Sequence, residues 1–218
     1  DDLLATMPGK GVKYITNIGT DLATSRATLE LTRKYPFVYG TAGFHPHEAK
    51  SITDEALDEI VSMLGDGKIR AMGEIGLDYY YDLSERDVQR AAFARQLEIA
   101  KELDVPVVIH EREACADMLD ILSASGVRRG VVHCFGGSRE TAKILLDMGF
   151  YISFTGVITF KNARRAYEVV PYIPSDRIMA ETDCPYLTPV PFRGETNHSG
   201  YLKYTVEKIA EMRGISFE

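Results

Sequence analysis

Cysteine is scarce, and the three present, Cys115, Cys134 and Cys184, form no CxxC pair and leave an odd thiol. That argues against a disulfide framework and a cysteine-rich zinc site, and suits a reducing cytoplasm. Long apolar runs are missing as well. The longest, such as residues 105–109, are strand-sized, too short to span a bilayer, and the acidic start Asp1-Asp2 is no signal peptide. Positive charge falls short of negative, 25 Lys and Arg against 32 Asp and Glu, for a net charge of −7. This disfavours a general nucleic-acid binder, whose affinity comes from Lys and Arg displacing phosphate counterions, so any nucleic-acid substrate must be held by local cations. A GxGxxG after the first strand is also absent: Gly9, Gly11 and Gly19 lack that spacing, and a dinucleotide fold loses its best support. There is no low-complexity segment, and no stretch is apolar enough to demand an obligate protein partner. The expectation is a soluble cytoplasmic protein with no membrane attachment.

What is present is ordinary globular usage, 45% apolar and 26% charged over 218 residues. One domain spanning 1–218 is expected, since single α/β barrels commonly run to about 250 residues. Short apolar or β-branched runs at 12–18, 37–44, 68–74, 105–110, 130–134, 150–155 and 177–183 read as strands. Helical stretches fall between or after them at 23–34, 53–64, 84–103, 114–123, 138–148, 162–170 and 201–213. The clearest is 84–103, with Ser84 as N-cap and Val88, Ala92, Ile99 and Leu103 on one face. Strict alternation implies an α/β fold with a parallel sheet and right-handed crossovers. Seven strands are one short of a closed eight-stranded barrel, and an open doubly wound sheet is the competitor.

The informative feature is what ends the strands. Glu74, His110, His133 and Asp183 each fall at the end of a candidate strand, and all are metal-ligand types. In a barrel the C-terminal strand ends converge on one face, where two imidazoles and two carboxylates could hold one or two divalent ions. A mixed nitrogen and oxygen set suits Zn, Mn, Fe or Ni, whereas Mg prefers more oxygen. His45, in Gly43-Phe44-His45-Pro46-His47, is directed by its proline and reads as a substrate or metal-water contact, with a capping role as the alternative. His47 and His198 read as loop residues. Arg112 and Arg193 are candidates to grip a phosphate, against a plain solvated or paired role. Cys134 and Cys184 follow ligand candidates directly, and strand alternation would turn both away from the centre into packing. The run Tyr79-Tyr80-Tyr81 reads as loop packing before base stacking.

Taken in order, Gly43–His47, Gly73-Glu74-Ile75-Gly76-Leu77-Asp78-Tyr79, Val108-Ile109-His110-Glu111-Arg112-Glu113-Ala114, His133-Cys134-Phe135-Gly136-Gly137 and Glu181-Thr182-Asp183-Cys184-Pro185-Tyr186-Leu187 resemble the successive signatures of the TatD family. The resemblance runs from about Val12 onward. It implies a TIM-type (β/α)8 barrel of the amidohydrolase superfamily, magnesium-dependent deoxyribonuclease activity, often 3′ to 5′ on single strands, and metal positions at Glu74, His110, His133 and Asp183. The family pattern also has a first strand ending in His-x-His and a last helix with no counterpart here, so a barrel lacking both is expected.

The combined reading is phosphodiester hydrolysis of single-stranded DNA with two divalent ions. Glu74 bridges them, His110 and His133 complete the site, and Asp183 binds one ion and orients or deprotonates the attacking water. His45, Arg112 and Arg193 contact substrate. Two alternatives stand beside it: hydrolysis of a small ester, amide or phosphoester on the same centre, and a metal-binding remnant without catalysis.

Overall fold

The computed structural model describes residues 2–217; Asp1 and Glu218, the ends of the single domain expected over 1–218, lie outside the described residues. The chain falls into two compact units, one of residues 14–132 and one of residues 2–13 with 133–217. The second opens with a short helix, α1 (Asp2–Thr6).

In the unit of residues 14–132, strands and helices alternate: β1 (Ile15–Asn17), α2 (Leu22–Lys34), β2 (Val38–Ala42), α3 (Asp54–Leu64), β3 (Ile69–Asp78), α4 (Arg86–Glu102), β4 (Val107–Arg112), α5 (Cys115–Ser125) and β5 (Gly130–Val132). The strands pair in parallel in chain order, with Ile15 opposite Val38, Gly40 opposite Ile69, Met72 opposite Val107 and Val107 opposite Gly130. Local chemistry starts the helices. Asp21 and Thr24 form a reciprocal capping box on α2, and the Thr53 side chain caps α3. Ile60, Met72, Ile75, Leu77, Phe93, Leu97, Ile109, Met118 and Leu122 are fully buried, and each such aliphatic or aromatic side chain contributes roughly 1.5–3 kcal/mol.

The unit of residues 2–13 and 133–217 carries α6 (Arg139–Asp147), β6 (Tyr151–Phe154), α7 (Ala166–Val169), β7 (Ile178–Ala180) and α8 (Leu202–Arg213). β6 and β7 pair in parallel, Ile152 opposite Ile178, above a core of Leu145, Phe150, Phe154, Val170 and Ile173. Parallel strands alternating with helices are the pattern of a TIM-like α/β fold. No helix among the described residues is long and apolar enough to cross a membrane.

Three expectations shift. β3 runs past Glu74 to Asp78, because Ile75, Gly76, Leu77 and Asp78 continue the ladder against Ile109, His110, Glu111 and Arg112. Gly76 makes this possible: its φ is +144°, and a Cβ there would lie 2.0 Å from the His110 carbonyl oxygen. Second, α4 starts at Arg86 rather than at Ser84, whose hydroxyl instead donates to the His47 carbonyl (2.9 Å) and accepts from the Lys50 N–H (3.2 Å). Third, the buried face of α4 is Gln89, Phe93, Gln96, Leu97, Ile99 and Ala100, while Val88 and Leu103 are exposed. Two glutamines on a core face hid that stripe from a count of apolar residues.

Candidate metal centre

Glu74, inside β3, is 9% exposed, and its Oε1 lies 3.0 Å from His110 Nδ1 on β4 and 3.5 Å from His45 Nε2. His45 sits just beyond β2, held by its N–H donating to the Thr20 carbonyl (2.8 Å), while the Glu74 N–H donates to the Gly19 carbonyl (2.7 Å). One ligand atom from each of His45, Glu74 and His110 lies within 4.8 Å of the others, a donor set of two nitrogens and a carboxylate oxygen that fits a divalent ion.

The two imidazoles are not equivalent. His110 Nε2 is 3.0 Å from Asp78 Oδ2, so its other nitrogen, Nδ1, is the one turned to Glu74. A carboxylate behind a ligating histidine fixes tautomer and ring orientation in this way. The His47 N–H donates to His45 Nδ1 (3.2 Å), which leaves Nε2 as the nitrogen that faces Glu74. Burial pushes His45 down to about 3, more than the neighbouring Glu74 charge raises it, so the ring is neutral at pH 7.

Asp78 and His47 were missed from sequence. Asp78 closes β3 and is 1% exposed. Its Oδ2 meets both His110 and His47 Nε2 (3.1 Å), and its Oδ1 accepts the N–H groups of Tyr80 (3.0 Å) and Tyr81 (2.8 Å). Burial raises its pKa, but the hydrogen bonds from His110, the Tyr81 N–H and His47 outweigh this and hold the carboxyl well below the usual range. Nor is His47 a plain loop residue: its ring lies 4.2 Å from that of His45. The available signal was the Gly-Leu-Asp after Glu74, four residues on and therefore on the same strand face.

His133 and Asp183 belong to the other unit, just past β5 and β7. His133 Nδ1 lies 3.4 Å from Glu181 Oε2, whose other oxygen accepts the Cys134 N–H at 2.7 Å. Burial raises Glu181, and His133 with the Cys134 N–H more than offsets it, leaving the carboxyl below its ordinary range. Cys134 and Asp183 both hold positive φ, +45° and +54°, a conformation that costs non-glycine residues about 1–3 kcal/mol each and gathers at functional loops. Asn197, 1% exposed, ties this loop down by donating to the carbonyls of Thr182 (2.8 Å) and Tyr186 (2.6 Å).

Burial and the strand ends decide the two cysteines. Cys134 is half-buried, with Sγ 3.3 Å from Thr155 Oγ1, and burial pushes its thiol up to about 11, so it is no nucleophile. Cys184 is exposed rather than packed, because β7 ends at Ala180 and strand alternation does not reach it. Arg193 stacks over Phe160 at 3.9 Å and donates to the Thr188 carbonyl (3.0 Å), so part of its guanidinium clamps its own loop. Arg112 closes β4 with its guanidinium 3.9 Å from the Tyr80 ring centre.

The family described as TatD related DNase matches residues 1–218. The uncharacterized metal-dependent hydrolase YabD of Bacillus subtilis is 41% identical across 100% of this chain and 86% of its own length. The 3'-5' ssDNA/RNA exonuclease TatD of Salmonella typhimurium is 35% identical across 98% of this chain and 85% of its own. The crystal structure of YjjV, a TatD homolog from Escherichia coli K12, superposes with a TM-score of 0.93 at 28% identity, covering 99% of this chain and 85% of that one. The family match and the relatives define the class, a metal-dependent hydrolase, on a TIM-like α/β fold that carries a donor set fit for a divalent ion. The chain belongs to the family of TatD-related DNases.

Proposed function

We propose that this chain hydrolyses phosphodiester bonds of single-stranded DNA, working 3′ to 5′ in the cytoplasm with two divalent ions, magnesium in function. The observation that carries the reading is the relay of Glu74, His110 and Asp78: a buried carboxylate fixes His110 so that Nδ1 faces a second carboxylate at 3.0 Å. The Salmonella relative named a 3'-5' ssDNA/RNA exonuclease supports the substrate class.

Metal-binding roles are assigned to Glu74, His110, His133 and Asp183. Bound divalent ions supply charge neutralisation and a lower pKa for coordinated water, toward about 7. Glu181, at His133 Nδ1, leaves the ligand role of that ring to Nε2. The Asp183 carboxylate orients the attacking water and takes its proton. His45, with Nε2 turned to Glu74, contacts the substrate beside the metal centre. Arg112 and Arg193 provide the local cations that a chain of net charge −7 needs to hold a polyanion.

Glu74→Ala is expected to lose bound metal and cleavage of single-stranded DNA together, read by elemental analysis and a gel assay. Full metal-dependent cleavage by that variant overturns the assignment. A wild-type protein that hydrolyses generic esters or amides but no nucleic acid moves the substrate to a small molecule, and one that binds metal yet turns over neither is a remnant.

A further inference from the structure

The run Tyr79-Tyr80-Tyr81 divides in the fold. Tyr79 packs inward: its hydroxyl donates to Asp117 Oδ2 (2.5 Å), and Arg86 covers its ring at 4.4 Å. Tyr80 and Tyr81 do the opposite, 53% and 54% exposed, with their rings edge to face at 4.9 Å. Loop packing therefore explains the first tyrosine and not the other two. The Arg112 guanidinium lies 3.9 Å from the centre of the Tyr80 ring and 4.8 Å from that of Tyr81. Among the described residues its side chain makes no ion pair and no hydrogen bond, although a guanidinium carries five donors. The rings hold the flat group in place and leave its edge to an outside acceptor, for which a phosphate has the matching geometry.

This exposed cluster is tied to the candidate metal centre. Asp78 Oδ1 accepts the N–H groups of Tyr80 and Tyr81, and Asp78 Oδ2 meets His110 and His47. Arg112 stands opposite Asp78 in the β3–β4 ladder, and Tyr81 touches the His47 ring edge-on at 5.5 Å. One buried carboxylate thus fixes both the aromatic turn and the histidine beside Glu74.

Resting on the nuclease reading, we propose that Tyr80, Tyr81 and Arg112 form a subsite for one nucleotide of a single-stranded nucleic acid, the rings stacking its base and the guanidinium binding its phosphate. The net charge of −7 leaves little diffuse attraction for a polyanion, so a local grip of this kind is required. Stacking needs a base whose face is open. A duplex, whose bases stack on one another, offers none, and the subsite selects single strands.

The test is fluorescence anisotropy of the purified full chain with a fluorescein-labelled oligo-dT carrying phosphorothioate linkages, which resist cleavage. Y80A/Y81A is expected to weaken binding about tenfold or more with the salt dependence unchanged, while Y80F/Y81F, which keeps the ring faces, binds as wild type. R112Q is expected to lower the slope of log affinity against log salt by about one. Equal binding by wild type and Y80A/Y81A, or no binding by wild type, overturns the subsite. Cleavage of unmodified single-stranded DNA by wild type with magnesium is measured alongside. Cleavage with ring-independent binding sinks the subsite alone; ring-dependent binding without cleavage under any divalent metal sinks the nuclease reading alone.

Discussion

At the scale of single residues, the centre is organised by a group that does not itself face Glu74. Asp78 is buried, and one of its oxygens serves two imidazoles. Removing it would free the His110 ring to rotate and to take the other tautomer, so Nδ1 would no longer be reserved for Glu74. Asp78→Ala is therefore expected to weaken metal binding 10- to 100-fold, the range seen when the partner behind a ligating histidine is lost. Chelator competition on the purified variant measures it. Unchanged affinity would mean that packing alone orients His110. Glu74, His110, His133 and Asp183 stood out in the sequence because ligand-type residues closing apolar runs are visible in a linear pattern, although β3 and β4 run on past Glu74 and His110. Asp78 did not, because a carboxylate after Gly-Leu at the close of a strand looks the same whether it caps a loop or supports a ring.

At the scale of elements, the β3–β4 pair carries the centre, and its close approach depends on Gly76. With φ at +144° and the His110 carbonyl oxygen 2.0 Å from where a Cβ would be, a side chain forces the strands apart at His110. Gly76→Ala is expected to destabilise the fold by about 3 kcal/mol, from a strained backbone and a displaced ladder, and to disturb metal binding with it. Urea denaturation gives the first quantity. A loss under 1 kcal/mol, roughly that of an unstrained surface change, would show that the strand relaxes freely. Strand and helix order was legible, since a period of two alternating with a period near 3.6 survives in the sequence. The α4 face was not. Gln89 bonds the N–H and carbonyl of Asp78 (2.9 and 3.1 Å), and Gln96 bonds those of Phe44 (2.8 and 3.1 Å), so both are buried yet fully satisfied. A hydrophobic count places such residues outside.

At the scale of the whole molecule, the carboxylates gathered beside the imidazoles bring metal binding into the stability of the fold. An ion held only by the folded state adds about 2.7 kcal/mol at a hundredfold excess over its Kd. For a chain of this size that is roughly 5–10 °C in Tm. Chelation should lower the Tm by this amount and added magnesium restore it, with Glu74→Ala indifferent to both in differential scanning calorimetry. A wild-type Tm insensitive to chelator would remove the metal from the account.

The sequence by itself determined the order of strands and helices, the family and the ligand-type residues, because each depends on residue identity and spacing along one chain. Tertiary structure alone decided which nitrogen of His110 faces Glu74, that Asp78 serves two rings, that Tyr79 packs while Tyr80 and Tyr81 face solvent, and that Cys184 is exposed. Those facts depend on strand register, on where strands end and on which groups share a buried hydrogen bond. Such relations join residues distant in sequence and leave no periodic trace in it.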